Sequence, residues 1–180
     1  GFRRNWLNIF QLNPKTRVLA NHAASDACAF TVYEYADVAV HTPPLAEGLT
    51  ALDLIRDTLD RYLEGMKGYG MVGYKSPDIN AAWGGPYDSL DSYPSLLISA
   101  ADYVRGSKDT KWLEKAWPSL QSWAEKMLST DKDGDGLLEY GPSGNAGSWV
   151  RGVAQRPANW WDTIGFGHED AYSNALAYRA

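Results

Sequence analysis

The stretch "DKDGDGLLEY" sets carboxylates at Asp131, Asp133 and Asp135, alternating with single residues and followed by Gly136. Calcium is a hard cation that takes oxygen ligands, and alternate residues of a tight loop supply them compactly. Counted from Asp131, the three aspartates fall at positions one, three and five of an EF-hand-like loop, and Gly136 falls at six, where a sharp turn is required. The Leu137 carbonyl takes position seven and Glu139 position nine. Position twelve is Pro142 rather than a bidentate glutamate, so a standard EF-hand is excluded and a remote carboxylate must complete the shell. Two expectations stand side by side. Either Asp131, Asp133, Asp135, Leu137 and Glu139 ligate Ca2+, or the loop is a solvated turn whose aspartates cap backbone donors.

A second constellation closes the chain in "NWWDTIGFGHEDAYSNALAYRA". Asp162 directly follows Trp160 and Trp161. A carboxylic acid flanked by indoles is partly desolvated, which disfavours its charged form and raises its pKa. A general acid working near neutral pH needs that shift. His168, Glu169 and Asp170 come next, with side chains able to hydrogen-bond hydroxyl groups. The alternative is that Asp162 caps a turn while the tryptophans pack in the core.

Other chemistries find little support. The chain has no G-x-S-x-G elbow, Walker loop or dinucleotide fingerprint, and thus no sign of an organic cofactor. His22, His41 and His168 are scattered without metal-ligand spacing. The net charge of −5, with no Lys/Arg run longer than two, argues against a nucleic acid or an anionic membrane as partner. Cys28, the single cysteine, leaves no internal disulfide and no Cys-rich zinc site. No apolar run approaches the roughly 20 residues needed to span a bilayer. Eight tryptophans and eleven tyrosines are the unusual feature. They fit either wide helix–helix seams or flat surfaces for stacking on sugar faces.

Helices must position these residues. In "DTKWLEKAWPSLQSWAEKMLST", Leu113, Ala116, Trp117, Leu120, Trp123, Ala124, Met127 and Leu128 repeat at helical intervals, with Asp109 as N-cap and Pro118 as a kink or fresh first turn. "TALDLIRDTLDRYLEGM" is capped by Thr50, with Leu52, Ile55, Leu59, Tyr62, Leu63 and Met66 on one face. "SYPSLLISAADYVRGS" starts with Ser92 as cap and Pro94 in the first turn. "DACAFTVYEYADVAV" is open between strand, from its β-branched end, and helix, which is favoured, and "EDAYSNALAYRA" starts a last helix. Between helices lie long Gly-, Pro- and Trp-rich connections, which are uncommon unless functional. The expectation is an all-α chain of helical hairpins with function on the connections.

The run from "DYVRGSKDTKWLEKAWPSLQSW" through "DGDGLLEYG", followed by "NWWD" and "NALAYRA", resembles the six-hairpin glycosidase superfamily, whose catalytic domains are (α/α)6 barrels. The end of the chain is similar to the "TWMDA … NALWYNAL" stretch of glycogen-debranching-type amylo-α-1,6-glucosidases. The acidic loop is similar to "DGDGL" loops of processing α-glucosidases. "YDSLDSYPSLLISAADYV" resembles an earlier hairpin of the same group. The likeness covers roughly residues 80 to 180 and leaves residues 1 to 79 unmatched.

This resemblance implies that residues 1–180 form a single domain, a portion of an (α/α)6 catalytic domain, acting on an oligo- or polysaccharide. It implies Asp162 as proton donor to the departing glycosidic oxygen. In β-glucosidase relatives the similarly placed aspartate binds sugar hydroxyls instead. Trp160 and Trp161 would line the site, joined from the preceding hairpin by Trp83, Asp91 and Tyr93, with His168 and Glu169 also on the sugar. In some relatives the acidic loop holds a structural calcium. The second carboxylate that glycoside hydrolysis requires would lie beyond Ala180, in the remainder of the domain. A periplasmic or extracellular location is expected over a cytoplasmic one. A non-catalytic helical carbohydrate-binding or scaffold module is the alternative. A dockerin-type module ranks last, because only one Asp-rich loop is present.

Overall fold

The computed structural model describes residues 12–13, 17–20, 27–64, 91–139, 169 and 171–180. Among them a small antiparallel ribbon, β1 (Leu12–Asn13) and β2 (Val18–Leu19), pairs Leu12 with Leu19 and Asn13 with Val18. Sequence periodicity gave no sign of it, since a ladder of two residues is too short to alternate. Five helices come after it: α1 (Ala29–Ala39), α2 (Ala51–Leu63), α3 (Ser92–Ser107), α4 (Thr110–Leu128) and α5 (Ala171–Arg179). The described residues are mostly helical, as expected.

Local chemistry sets the helix starts. At α2, the Thr50 hydroxyl accepts from the Asp53 N–H at 3.2 Å, and the Asp53 carboxylate accepts from the Thr50 N–H at 2.8 Å, a reciprocal capping box. At α4, Asp109 Oδ1 accepts from the Trp112 N–H at 3.0 Å. Helix α3 begins at Ser92 itself, with Asp91 in the cap position and no side-chain capping bond, so the expected Ser92 cap is displaced by one residue. Helix α4 runs through Pro118 as one continuous element rather than restarting there.

The helices alternate in direction. Tyr62, near the end of α2, donates its hydroxyl to the Ala27 carbonyl just before α1, so α2 runs back along α1. At the opposite end, a Cβ on Gly106 of α3 would meet both Val40, after α1, and Leu52 of α2. Helix α3 therefore parallels α1. The two-residue connection Lys108–Asp109 folds α4 back, with Lys108 in the left-handed region at φ 59°. Arg179, closing α5, reaches Asp102 of α3 at 3.3 Å, so α5 runs in the direction of α1 and α3.

Helix α3 lies at the centre and is buried on almost every side, including Tyr93, Leu96, Ile98, Ala100 and Tyr103. The core continues through Val32 and Ala36 of α1, Leu54, Ile55 and Leu59 of α2, and Leu120 and Trp123 of α4. Fully burying one Leu or Ile side chain contributes about 1.5–3 kcal/mol, so this cluster is the main support of the array. The α4 stripe differs from expectation. Trp112, Ala116, Leu120, Trp123 and Met127 face inward, whereas Trp117 and Leu128 stay 57% and 64% exposed. Trp112 anchors that face twice. Its indole N–H donates to Asp60 at 2.7 Å, and its ring meets Tyr103 edge-on with centroids 5.0 Å apart. Among the described residues no helix is long and apolar enough to cross a membrane.

Candidate functional site

The acidic loop leaves α4 through a tightened last turn, in which the Thr130 hydroxyl donates to the Met127 carbonyl at 2.7 Å. Asp131 then organises the loop backbone. Its two carboxylate oxygens accept from the Gly134 N–H at 2.8 Å and the Gly136 N–H at 3.0 Å. Asp133 accepts from the Asp135 N–H at 3.2 Å, and Asp135 from the Leu137 N–H at 2.8 Å. Both glycines adopt positive φ, 81° at Gly134 and 92° at Gly136, a backbone state that other residues enter only with strain. The Glu139 N–H donates to the Thr130 carbonyl at 3.0 Å and closes the base of the loop.

This folding brings the Asp131, Asp133 and Asp135 carboxylates together, with one oxygen from each within 4.8 Å of the others. Oxygens sharing one calcium ion at 2.3–2.6 Å lie at most about 5 Å apart, a condition these three oxygens meet, as exposed acidic groups commonly do without an ion. An oxygen that accepts one N–H keeps a second lone pair for a cation. Glu139 is half-buried and stands outside the trio, and Leu137 exposes 40% of its surface. The geometry thus groups three of the five expected ligands.

The loop is fastened to α5. Asn174 accepts from the Leu138 N–H at 2.6 Å and donates its amide to the Leu138 carbonyl at 3.1 Å. The Leu138 side chain is buried in the core while its neighbour Leu137 faces solvent. Nothing in the sequence singled out Asn174. The available signal was an asparagine in mid-helix, a position it favours little.

The remaining candidates sort by position. Asp91 and Tyr93 sit at the start of α3, 3% and 4% exposed, and Tyr93 belongs to the core cluster. Both are more enclosed than the loop positions expected of them. Burial pushes the Cys28 thiol up, hydrogen bonding with Thr31 opposes this, and the negative Asp91 carboxylate nearby adds to the rise. Cys28 is accordingly held as a thiol rather than a nucleophilic thiolate. Glu169 is exposed just ahead of α5. Trp83, Trp160, Trp161, Asp162 and His168 lie outside the described residues.

One end of the array gathers the described candidates. The starts of α1, α3 and α5, the last turns of α2 and α4, Asp91, Tyr93, the acidic loop and Glu169 all belong to it. The described residues 64, 91, 139 and 169, which flank segments 65–90 and 140–168, lie at this end, whereas among the described residues 40–50 and 108–109 connect helices at the opposite end. Compared with protein-family models, with curated proteins and with solved structures, the chain gives no match. The glycosidase resemblance rests on its motifs alone.

Proposed function

We propose that the chain is a portion of a glycoside hydrolase catalytic domain of the (α/α)6 type, acting on an oligo- or polysaccharide of neutral glucosides. The observation that supports this reading is the one-ended arrangement. Every candidate sugar-site residue belongs to the end of the array carrying the two long connections, or to those connections themselves. Parallel α1, α3 and α5, with α2 and α4 running opposite, are what successive hairpins of such a barrel would supply.

In this reading Asp162, its proton retained by the neighbouring indoles, gives that proton to the glycosidic oxygen as the bond from the anomeric carbon breaks. A second carboxylate in the rest of the domain activates water or attacks the anomeric carbon. Ca2+ held by Asp131, Asp133 and Asp135 fixes the acidic loop and has no part in the chemistry. No nucleic acid, membrane or organic cofactor enters the reading.

Two measurements test it. Asp162→Asn, in a protein that hydrolyses nitrophenyl glucosides, is expected to lower kcat about 10²–10⁴-fold, the usual contribution of a general acid. A loss below about tenfold removes that role, and saccharide binding without turnover points to the non-catalytic module. Calcium at 100 times its Kd is expected to stabilise the chain by about 2.7 kcal/mol, chelation to reverse this, and Asp131→Ala to abolish it. A melting temperature indifferent to both calcium and chelator removes the metal.

A further inference from the structure

We propose that the cleft between the end of α1 and the last turns of α3 binds a small zwitterion, a free amino acid carrying one ammonium and one carboxylate. The cleft has a volume of about 330 Å3 and is lined by Asp37, Val40, His41, Asp102, Arg105 and Gly106. It lies at the end of the array away from the acidic loop, and it stands apart from the glycosidase reading. Pockets for small ligands start near this size, with mostly apolar walls and a few placed polar groups. Val40 and the bare backbone of Gly106 supply the apolar part.

Arg105 is fixed from behind. Its Nη1 donates at 2.8 Å to Asp102, whose side chain is 5% exposed and whose second oxygen takes Arg179 at 3.3 Å. Asp102 thus has both oxygens engaged, while Arg105, 72% exposed, keeps most of its N–H donors for a ligand. A guanidinium fork oriented in advance matches a carboxylate. On the α1 wall, Asp37 sits in the last helical turn, and among the described residues its carboxylate has no hydrogen-bond or ion-pair partner. Two opposite charges therefore share one cleft without being paired with each other. A ligand with a single charge satisfies one of them and is repelled by the other, whereas a ligand with both bridges them. The C-terminal end of α1 adds partial negative charge beside Asp37, which favours an ammonium there. His41 can add a hydrogen bond. A metal ion is the poorer occupant, since Asp37, His41 and Asp102 do not converge as the Asp131, Asp133 and Asp135 oxygens do.

The test titrates the 180-residue chain with L-alanine, and separately with acetate and with ethylammonium, up to about 50 mM each. Amide chemical shifts of Val40, His41 and Gly106 report binding. L-Alanine is expected to move these signals saturably, and the two half-ligands to bind at least about tenfold more weakly. Asp37→Asn and Arg105→Gln are each expected to weaken L-alanine about tenfold, the loss of one hydrogen bond to a charged group. Both side chains are exposed, so neither change opens the core. Should Arg105→Gln unfold the chain by leaving Asp102 short of a partner, Asp37→Asn decides alone. The proposal is overturned by the absence of a saturable shift, by an affinity within about twofold of wild type in Asp37→Asn, or by a half-ligand that binds as well as L-alanine.

Discussion

Asp53 and Asp109 each accept a backbone hydrogen bond at the first turn of a helix, and each carboxyl titrates below its ordinary range. At Asp109 the Trp112 N–H is the main cause and the Tyr103 hydroxyl, 3.0 Å away, the next. At Asp53 desolvation works in the raising direction, but the bonds from Thr50 and the charge of Arg56 outweigh it. A carboxyl whose folded pKa lies below the unfolded value of about 3.9 contributes stability that is complete above that pH. The contribution is lost as pH falls through the folded value. Asp109→Asn is therefore expected to lower the melting temperature at about pH 7, with the gap to wild type closing as both are taken towards about pH 3. A gap that stays constant over that range would show the Asp109 charge to be irrelevant. The Tyr103 phenol moves the other way, raised by burial and by its bond to Asp109.

Elements show where local sequence signals suffice and where they do not. Thr50 and Asp109 were legible as caps because capping is decided within three residues. Helix was favoured for the stretches that form α1 and α5, but their ends were not fixed by the sequence. The α4 stripe was half right. Periodicity gives a face of a helix, but the tertiary partners Asp60 and Tyr103 decide which edge of that face is covered, so Trp112 goes inside and Trp117 outside. The acidic loop was legible as a tight turn because its bonding is local, with the Asp131, Asp133 and Asp135 side chains folding onto their own backbone. Asn174 was not, because its partner Leu138 is set by tertiary contact. Buried Asp91 was expected on a loop for a related reason, since spacing does not reveal how deeply a helix start is inserted.

Helix contact also predicts the effect of Gly106, where an added Cβ would overlap Val40 Cγ2 at the α1–α3 crossing. Overpacking of this kind costs about 1–3 kcal/mol, set against at most ~1 kcal/mol gained from the better helix propensity of alanine. Gly106→Ala should therefore lower unfolding free energy in urea by about 1 kcal/mol. Adding Val40→Ala should restore much of it, because the two side chains share one space. A Gly106→Ala variant as stable as wild type would mean that the exposed Val40 side chain turns aside at no cost.

At the scale of the molecule, all five helices join one core, but through ties of very different span. Asp102, 5% exposed at its side chain, pairs Oδ1 with Arg105 at 2.8 Å and Oδ2 with Arg179 at 3.3 Å. The first partner is three residues away and the second 77. The Arg179 guanidinium also lies 5.7 Å from the Tyr33 ring centroid, so the last turn of α5 touches α1 and α3 at once. Contacts of long sequence separation form only after a large loop has been closed, whereas a two-residue turn such as that between α3 and α4 closes early. Refolding should accordingly protect the α3–α4 hairpin before the C-terminal helix seats. Pulse labelling is expected to find Leu120 shielded at times when Leu176 is still open, and simultaneous shielding of both would mean that the terminal helix belongs to the folding nucleus.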